Sequence, residues 1–174
     1  MFRSLVCVGV PLILTAAVPR DAAAAAGDVL PAVKAESLAG KKIAWPTDFA
    51  AERTILLFSF GRDMQDDVDA WDAALAPLRA AGTAEVYNTP LIPNPGALVR
   101  GFISGGMRSV YKDPATRARV VVLFVDEKTY FPALGVTDRT APLVLVVGRD
   151  GVERGRVQGK VNDALIADVR ALAN

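Results

Sequence analysis

The stretch Thr54-Ile55-Leu56-Leu57-Phe58-Ser59-Phe60, followed by Gly61-Arg62-Asp63 and the run from Met64 to Leu78, decides the fold of this chain. Residues 54–60 are an almost unbroken apolar run of large and β-branched side chains, the composition of an interior strand covered on both faces. Gly61-Arg62-Asp63 interrupts it. Beyond the break Met64, Val68, Trp71, Leu75 and Leu78 recur at steps of four and three, which predicts one apolar face of a helix. The hydrophobic period changes from strand to helix across one turn. Such a turn, at the carboxyl end of a central strand and the amino end of a helix, is where α/β proteins place ligands and catalytic groups.

Gly61-Arg62-Asp63-Met64-Gln65-Asp66-Asp67 holds no cysteine, histidine, serine nucleophile or phosphate-cradling glycine loop. Two readings of it stand side by side. In one, Arg62, Asp63 and Gln65 form a binding pocket from a guanidinium, a carboxylate, an amide and the free amides of a helix start. In the other, Asp63 caps the helix while Asp66, Asp67 and Asp69 are solvated charges favourably placed against its positive end.

At 174 residues, about half of them hydrophobic, the chain is long enough for one domain with a proper core. Arg3 precedes an apolar run from Leu5 to Val18, and the small residues Ala22 to Ala26 offer a cleavage site before Gly27. This is the layout of a secretory signal, so residues 1–26 are expected to be a signal peptide and residues 27–174 a single domain. The run is shorter than the ~20 residues a spanning helix needs, and Pro11 lies within it, which weighs against a retained anchor. Secretion, to the periplasm, is the expected destination.

Cys7 lies inside that leader, so from Gly27 onward the chain contains neither cysteine nor histidine. That composition excludes disulfides, thiol redox chemistry and the commonest soft-metal ligands from the expected mature domain. Without Arg3, Arg20 and Asp21 it carries 18 basic and 18 acidic residues, and no net charge draws it to nucleic acid or anionic lipid. No cofactor and no metal is expected. Asp66, Asp69 and Asp72 step along a helix instead of converging from a loop as calcium or magnesium ligands do.

In chain order, Gly27 to Gly40 reads as extended leader and turn, and Lys42 to Pro46 as a short edge strand ended by a proline. The helix from Asp63 is expected to kink or end at Pro77, with Gly82 as its stop. Glu85 to Asn88 reads as a strand closed by a loop of Pro90, Pro93 and Pro95. Asn94-Pro95 reads as a cap and first turn, after which Leu98, Val99, Phe102 and Ile103 give a helical apolar stripe ending at Gly105-Gly106. Residues 110–118 lack periodicity and read as loop. Val120 to Val125 is a second buried strand, followed by a helical turn around Tyr130 and Phe131 that stops at Gly135. Leu143 to Val147 and Val152 to Val157 flank Asp150-Gly151 as a hairpin. Asn162 is expected to cap a last helix whose inner face is Leu165, Ile166, Val169 and Leu172.

Buried strands alternating with helices predict an α/β fold with a mixed sheet flanked by helices on both faces. The pattern resembles the thioredoxin fold over roughly residues 29–172, and that resemblance places Pro142, in Thr140-Ala141-Pro142, as the cis-proline beside the active-site turn. Within the fold, Leu56 to Phe60, then Gln65, Val68 and Trp71, then Gly106-Met107-Arg108, then Val125-Asp126 with Phe131 and Leu134-Gly135, and last Asp150-Gly151, resemble the bacterial relatives of the mitochondrial ATP synthase assembly factor family. The mitochondrial members are chaperones for a subunit of the synthase membrane sector. The resemblance implies a thioredoxin-like scaffold and a protein partner, such as a membrane-complex subunit. It also implies that Arg62, Asp63 and Gln65 occupy the turn where a thioredoxin-like enzyme holds its redox cysteines.

Three functions follow as expectations: a binding module or assembly factor without thiol-disulfide or peroxidase activity, a non-thiol enzyme using Arg62 and nearby carboxylates on a small anionic substrate, or a structural partner of an envelope complex. The candidate contact residues are Arg62, Asp63, Gln65, Arg108 and Pro142, with Gly105-Gly106-Met107-Arg108 as either a helix stop or a hinge over the pocket. Arg100, Arg108, Lys112, Arg117 and Arg119 are offset only by Asp113. That group reads as a solvated face or as a docking surface for an acidic partner or lipid headgroups, which leaves peripheral membrane contact open. With only Phe102 and Tyr111 interleaved, nucleic-acid binding is not expected. Trp71 is expected in the core and Trp45 partly exposed.

Overall fold

A computed structural model describes residues 27–174. The expected signal peptide lies outside the described residues. Seven strands, β1 (Val33–Ser37), β2 (Lys42–Trp45), β3 (Arg53–Ser59), β4 (Glu85–Pro93), β5 (Val121–Val125), β6 (Leu143–Gly148) and β7 (Glu153–Gln158), form one sheet in the order β2-β1-β5-β4-β3-β6-β7. The helices are α1 (Gln65–Ala80), α2 (Ala97–Val110), α3 (Pro114–Arg119), α4 (Glu127–Ala133) and α5 (Asp163–Ala173). Strands β3, β4 and β5 run parallel and are joined by helices, whereas β1, β2, β6 and β7 add antiparallel partners on either side.

The apolar run of β3 is central because every residue from Thr54 to Ser59 is buried. Its alternating side chains feed two cores. Ile55 and Leu57 meet Val68, Trp71 and Leu75 of α1 and Val169 of α5 on one face, while Leu56 and Phe58 meet Trp45, Phe49, Tyr130 and Phe131 on the other. Each of these large side chains contributes about 1.5–3 kcal/mol by leaving water, which is why the period of the sequence and the layering of the fold agree here. Among the described residues no helix is long and apolar enough to cross a membrane.

The hairpin closes as expected, with Gly151 at φ 75° in its turn, and Asn162 accepts from the Leu165 amide at 3.0 Å to cap α5. Other readings need correction. Residues 33–37, read as leader, are a strand, because the turn after Ser37 returns the chain as β2 and gives both a partner. Strand β4 runs on through the proline loop to Pro93. It pairs with β3 as far as Pro90 and with β5 from Leu91 to Pro93, so each proline stands at the end of a ladder, where a missing donor costs least. Pro77 lies inside α1, which continues to Ala80 before Gly82 turns the chain at φ 69°. Trp45 is 3% exposed, stacked on Phe49 with its ring centroid 5.5 Å away.

The largest departure is α2. It passes through Gly105-Gly106 to Val110, and the loop read at 110–118 contains the short helix α3, capped by Asp113. Asn94 does not cap α2; its side chain accepts from the Gly96 amide in a turn before the helix. None of the residues of α2 is buried. Met107 faces the small cluster of Leu38, Val120 and Val122, and with about 100° of rotation per residue Leu98 then points roughly opposite. Of the apolar stripe, Leu98, Val99 and Phe102 look at solvent, and Ile103 is half-buried.

Candidate functional site

The corner after β3 is built by a short 3-10 turn over Arg62–Met64 that leads directly into α1. Met64 is buried and anchors the turn from below, leaving Arg62, Asp63 and Gln65 exposed above it. The capping role expected of Asp63 is not observed, since the N-cap of α1 is Met64 and no side chain bonds the free amides. The Asp63 carboxylate instead folds back over Gly61, where an added Cβ would collide with it. Arg62 makes no hydrogen bond or ion pair to another side chain among the described residues. A guanidinium and a carboxylate thus stand open at the positive end of a sixteen-residue helix, while the Met64 and Gln65 amides are taken by the Gly61 and Arg62 carbonyls.

Pro142 comes to this corner from the other side. Phe58 pairs with Leu143 in the antiparallel ladder of β3 and β6, so Pro142 falls one step beyond it, beside Ser59. Pro142 is buried, and its carbonyl accepts from the Gly159 amide at 3.0 Å, while the Gly159 carbonyl accepts from the Trp71 indole at 2.9 Å. Helix α1 and the start of β6 are thereby held to the same loop. The cis-proline expected at Pro142 is not there; the cis bond among the described residues is Trp45–Pro46.

Gln65 is tied to a residue the sequence reading missed as a site component. Its amide donates to the Asp69 carboxylate at 2.8 Å and to the Tyr111 hydroxyl at 3.1 Å. Tyr111 follows α2, and its carbonyl accepts from Arg117. Burial raises the Tyr111 pKa from its ordinary value, Asp69 and Asp72 reinforce the rise, and hydrogen bonds with Gln65 and Asn88 oppose it. Its phenol is therefore a neutral hydrogen-bonding group. No periodicity marks Tyr111, because it stands just past a helix end and acts across 46 positions of sequence.

Arg108 does not join this group. Its guanidinium donates to the Leu38 carbonyl at 3.0 Å and reaches Glu36 at 3.4 Å, which fastens α2 to the end of β1. Gly105-Gly106-Met107-Arg108 is neither a helix stop nor a hinge, being continuous helix. Arg108 lines a separate open cleft of about 560 Å³ between α2 and the β1-β2 edge, with Lys34, Lys42, Arg100, Ser104 and Asp48 also on its walls. A second hollow of about 230 Å³ lies under the segment from Asp28 to Pro31 and is lined by Glu153 and Arg156. Glu153 is 3% exposed and paired with Arg156, which also donates to the Leu134 carbonyl at 2.8 Å. Neither hollow is lined by Arg62, Asp63, Gln65 or Pro142. No group of three or more acidic, histidine or cysteine side chains is placed to hold a metal ion among the described residues.

A mixed sheet with this strand order, helices on both faces and an open corner between β3 and α1 defines a thioredoxin-like fold, and solved structures bear this out. The chain superposes on the thioredoxin domain of a thiol-disulfide oxidoreductase from Bacteroides vulgatus with a TM-score of 0.58 at 15% identity, covering 86% of this chain and 99% of that one. It matches a thiol:disulfide interchange protein of the DsbE type from Chlorobium tepidum with the same score, identity and coverage. It also matches BsSco, a member of the Sco family of cytochrome c oxidase assembly proteins, with a TM-score of 0.55 at 13% identity over 84% of this chain and 94% of that one. No family model and no curated protein matches the chain in sequence.

Proposed function

We propose that this chain is an exported, periplasmic thioredoxin-like binding module without thiol chemistry, acting as an assembly factor or chaperone for a protein partner such as a subunit of an envelope or membrane complex. One observation carries the reading. The corner that thiol-disulfide oxidoreductases of this fold devote to cysteines here exposes Arg62, Asp63 and Gln65 around a buried Met64, on a chain with no cysteine from Gly27 onward. An unpaired guanidinium beside a carboxylate at the positive end of a helix suits recognition of a carboxylate-bearing or polar segment of another protein. It offers no group that exchanges electrons. The assembly role named for the Sco protein, and the resemblance to the ATP synthase assembly factors, point to the same class of work.

The test is affinity capture of partners from the envelope fraction of the source cells, with the parent protein and with Arg62→Ala and Gln65→Ala in parallel. A specific partner retained by the parent and lost by Arg62→Ala is the expected result. Identical partner sets for parent and variant remove the corner from recognition, and turnover of insulin disulfides or peroxide by the exported protein overturns the non-redox reading.

A further inference from the structure

The cleft between α2 and the β1-β2 edge is built from one face of the sheet and one stripe of a helix. Cross-strand partners share a face, and the pairs Lys34 with Ala44, Glu36 with Lys42 and Glu36 with Val122 put these side chains on the side that α2 covers. Phe124, two positions beyond Val122, joins them, so the floor is apolar and the flanks carry amines. Across from it Arg100, Ser104 and Arg108 stand four residues apart on α2, a polar stripe turned toward the protein while Leu98 and Phe102 look at solvent. Packing alone favours the reverse arrangement. The stripe supplies donors to the cleft rather than apolar contact to the sheet.

The charges in the cleft do not cancel. Lys34, Lys42, Arg100 and Arg108 face two carboxylates, Glu36 and Asp48, which leaves a surplus of two positive charges. Both carboxylates are also engaged, Glu36 by Arg108 at 3.4 Å and Asp48 by the Ala44 amide at 2.7 Å. Lys34, Lys42 and Arg100 have no acidic partner among the described residues, and Arg100 is half-buried. A half-buried guanidinium and two amines beside an apolar floor match an oxyanion attached to an apolar body. The volume of the cleft, about 560 Å³, lies in the range of small-molecule sites. We propose that this cleft binds a small organic dianion, a phosphate ester or a dicarboxylate, whose charge is taken by Arg100, Lys34 and Lys42 and whose apolar part lies on Phe124 and Val122. The site is independent of the Arg62 corner, which does not line the cleft, and goes beyond it, since a small ligand needs no protein partner.

The test titrates the isotope-labelled full chain with phenyl phosphate and with phthalate, each a dianion on an aromatic ring near neutral pH, and with benzoate and phenol as monoanionic and neutral counterparts. Amide NMR shifts are expected at Ala44, Gly101 and Ser104. At least one dianion should bind about tenfold or more tightly than benzoate, and the tighter of the two names the headgroup. Arg100→Gln, and Lys34→Gln together with Lys42→Gln, should each weaken that binding by about tenfold or more. Gly101→Leu guards against misfolding, because it replaces a helix-weakening glycine where an added Cβ meets nothing within 4 Å, yet it narrows the cleft and should also weaken binding by about tenfold. Circular dichroism matching the parent confirms that each variant is folded. No shift with either dianion at millimolar concentration overturns the proposal, as does binding that benzoate and phenol match or that these variants leave intact. Shifts abolished by Arg62→Ala instead overturn it in favour of the β3-α1 corner. Loss of partner capture by Arg62→Ala would move none of the readouts at Ala44, Gly101 or Ser104.

Discussion

Helices α1 and α2 carry similar sequence patterns and meet opposite fates. Each has large apolar residues recurring at helical spacing, yet Val68, Trp71 and Leu75 of α1 are at most 1% exposed while Leu98 and Phe102 of α2 are among the most exposed large apolar side chains described. Helix α1 is laid by the β3 corner onto the centre of the sheet, where Ile55, Leu57, Val144 and Val146 await it. Helix α2 lies near the β1-β2 edge and is held by Met107 and by the Arg108 bonds to Leu38 and Glu36. Periodicity establishes which residues share a face. It does not establish where that face points.

The sharpest way to break the comparison is at its buried end. Trp71→Ala removes a fully buried indole and its bond to Gly159, and should cost about 3–5 kcal/mol in urea unfolding. A loss below about 1 kcal/mol would mean that α1 is not seated as described.

The next prediction concerns the join between the two helices, where Tyr111 meets Gln65. All three tyrosines of the chain have pKa values raised by burial: Tyr87 to about 12, with the Glu85 charge and hydrogen bond adding to it, and Tyr111 and Tyr130 in the same direction. The folded state favours the neutral phenol. The stability this confers is therefore complete below pH 10 and is lost as the pH rises from about 10 toward the folded values. Phenolate absorbance should appear only above the usual tyrosine range, together with loss of tertiary structure. Ionisation at the ordinary value in the native protein would show that the phenols are solvated and that the Tyr111 join is open.

The smallest effect belongs to the exposed end. Phe102→Ser should change the unfolding free energy by no more than about 0.5 kcal/mol, because the ring touches little. A loss of about 2 kcal/mol or more would place Phe102 in a packed contact and cancel the contrast with α1.

Of the fold, the central strands, α1, the Asp150-Gly151 hairpin and the capped α5 were legible because each depends on neighbours a few residues away. Strand β1 was not, since Val33–Ser37 alternates between exposed and half-buried positions and becomes a strand only through its partners β2 and β5. At the candidate site, the Gly61–Gln65 turn was readable as a strand-to-helix corner, and the thioredoxin resemblance brought Pro142 to it. Tyr111 was not readable, because its hydroxyl reaches Gln65 through the folding of α2 and β4 between them. Arg108 looked like a member of the site, but the path of α2 carries it to β1.

Composition alone limited the chemistry of the described residues: from Gly27 onward the chain has no cysteine and no histidine, so this part has no thiol nucleophile and no imidazole, whatever its shape. Local periodicity likewise determined which segments became central strand and covering helix, since steps of two, three and four are properties of the backbone. What only the assembled sheet decided was orientation. Whether a stripe faces core or water, and whether two distant polar groups touch, depends on which surfaces remain uncovered once β3, β4 and β6 have paired, and that is a property of the whole chain.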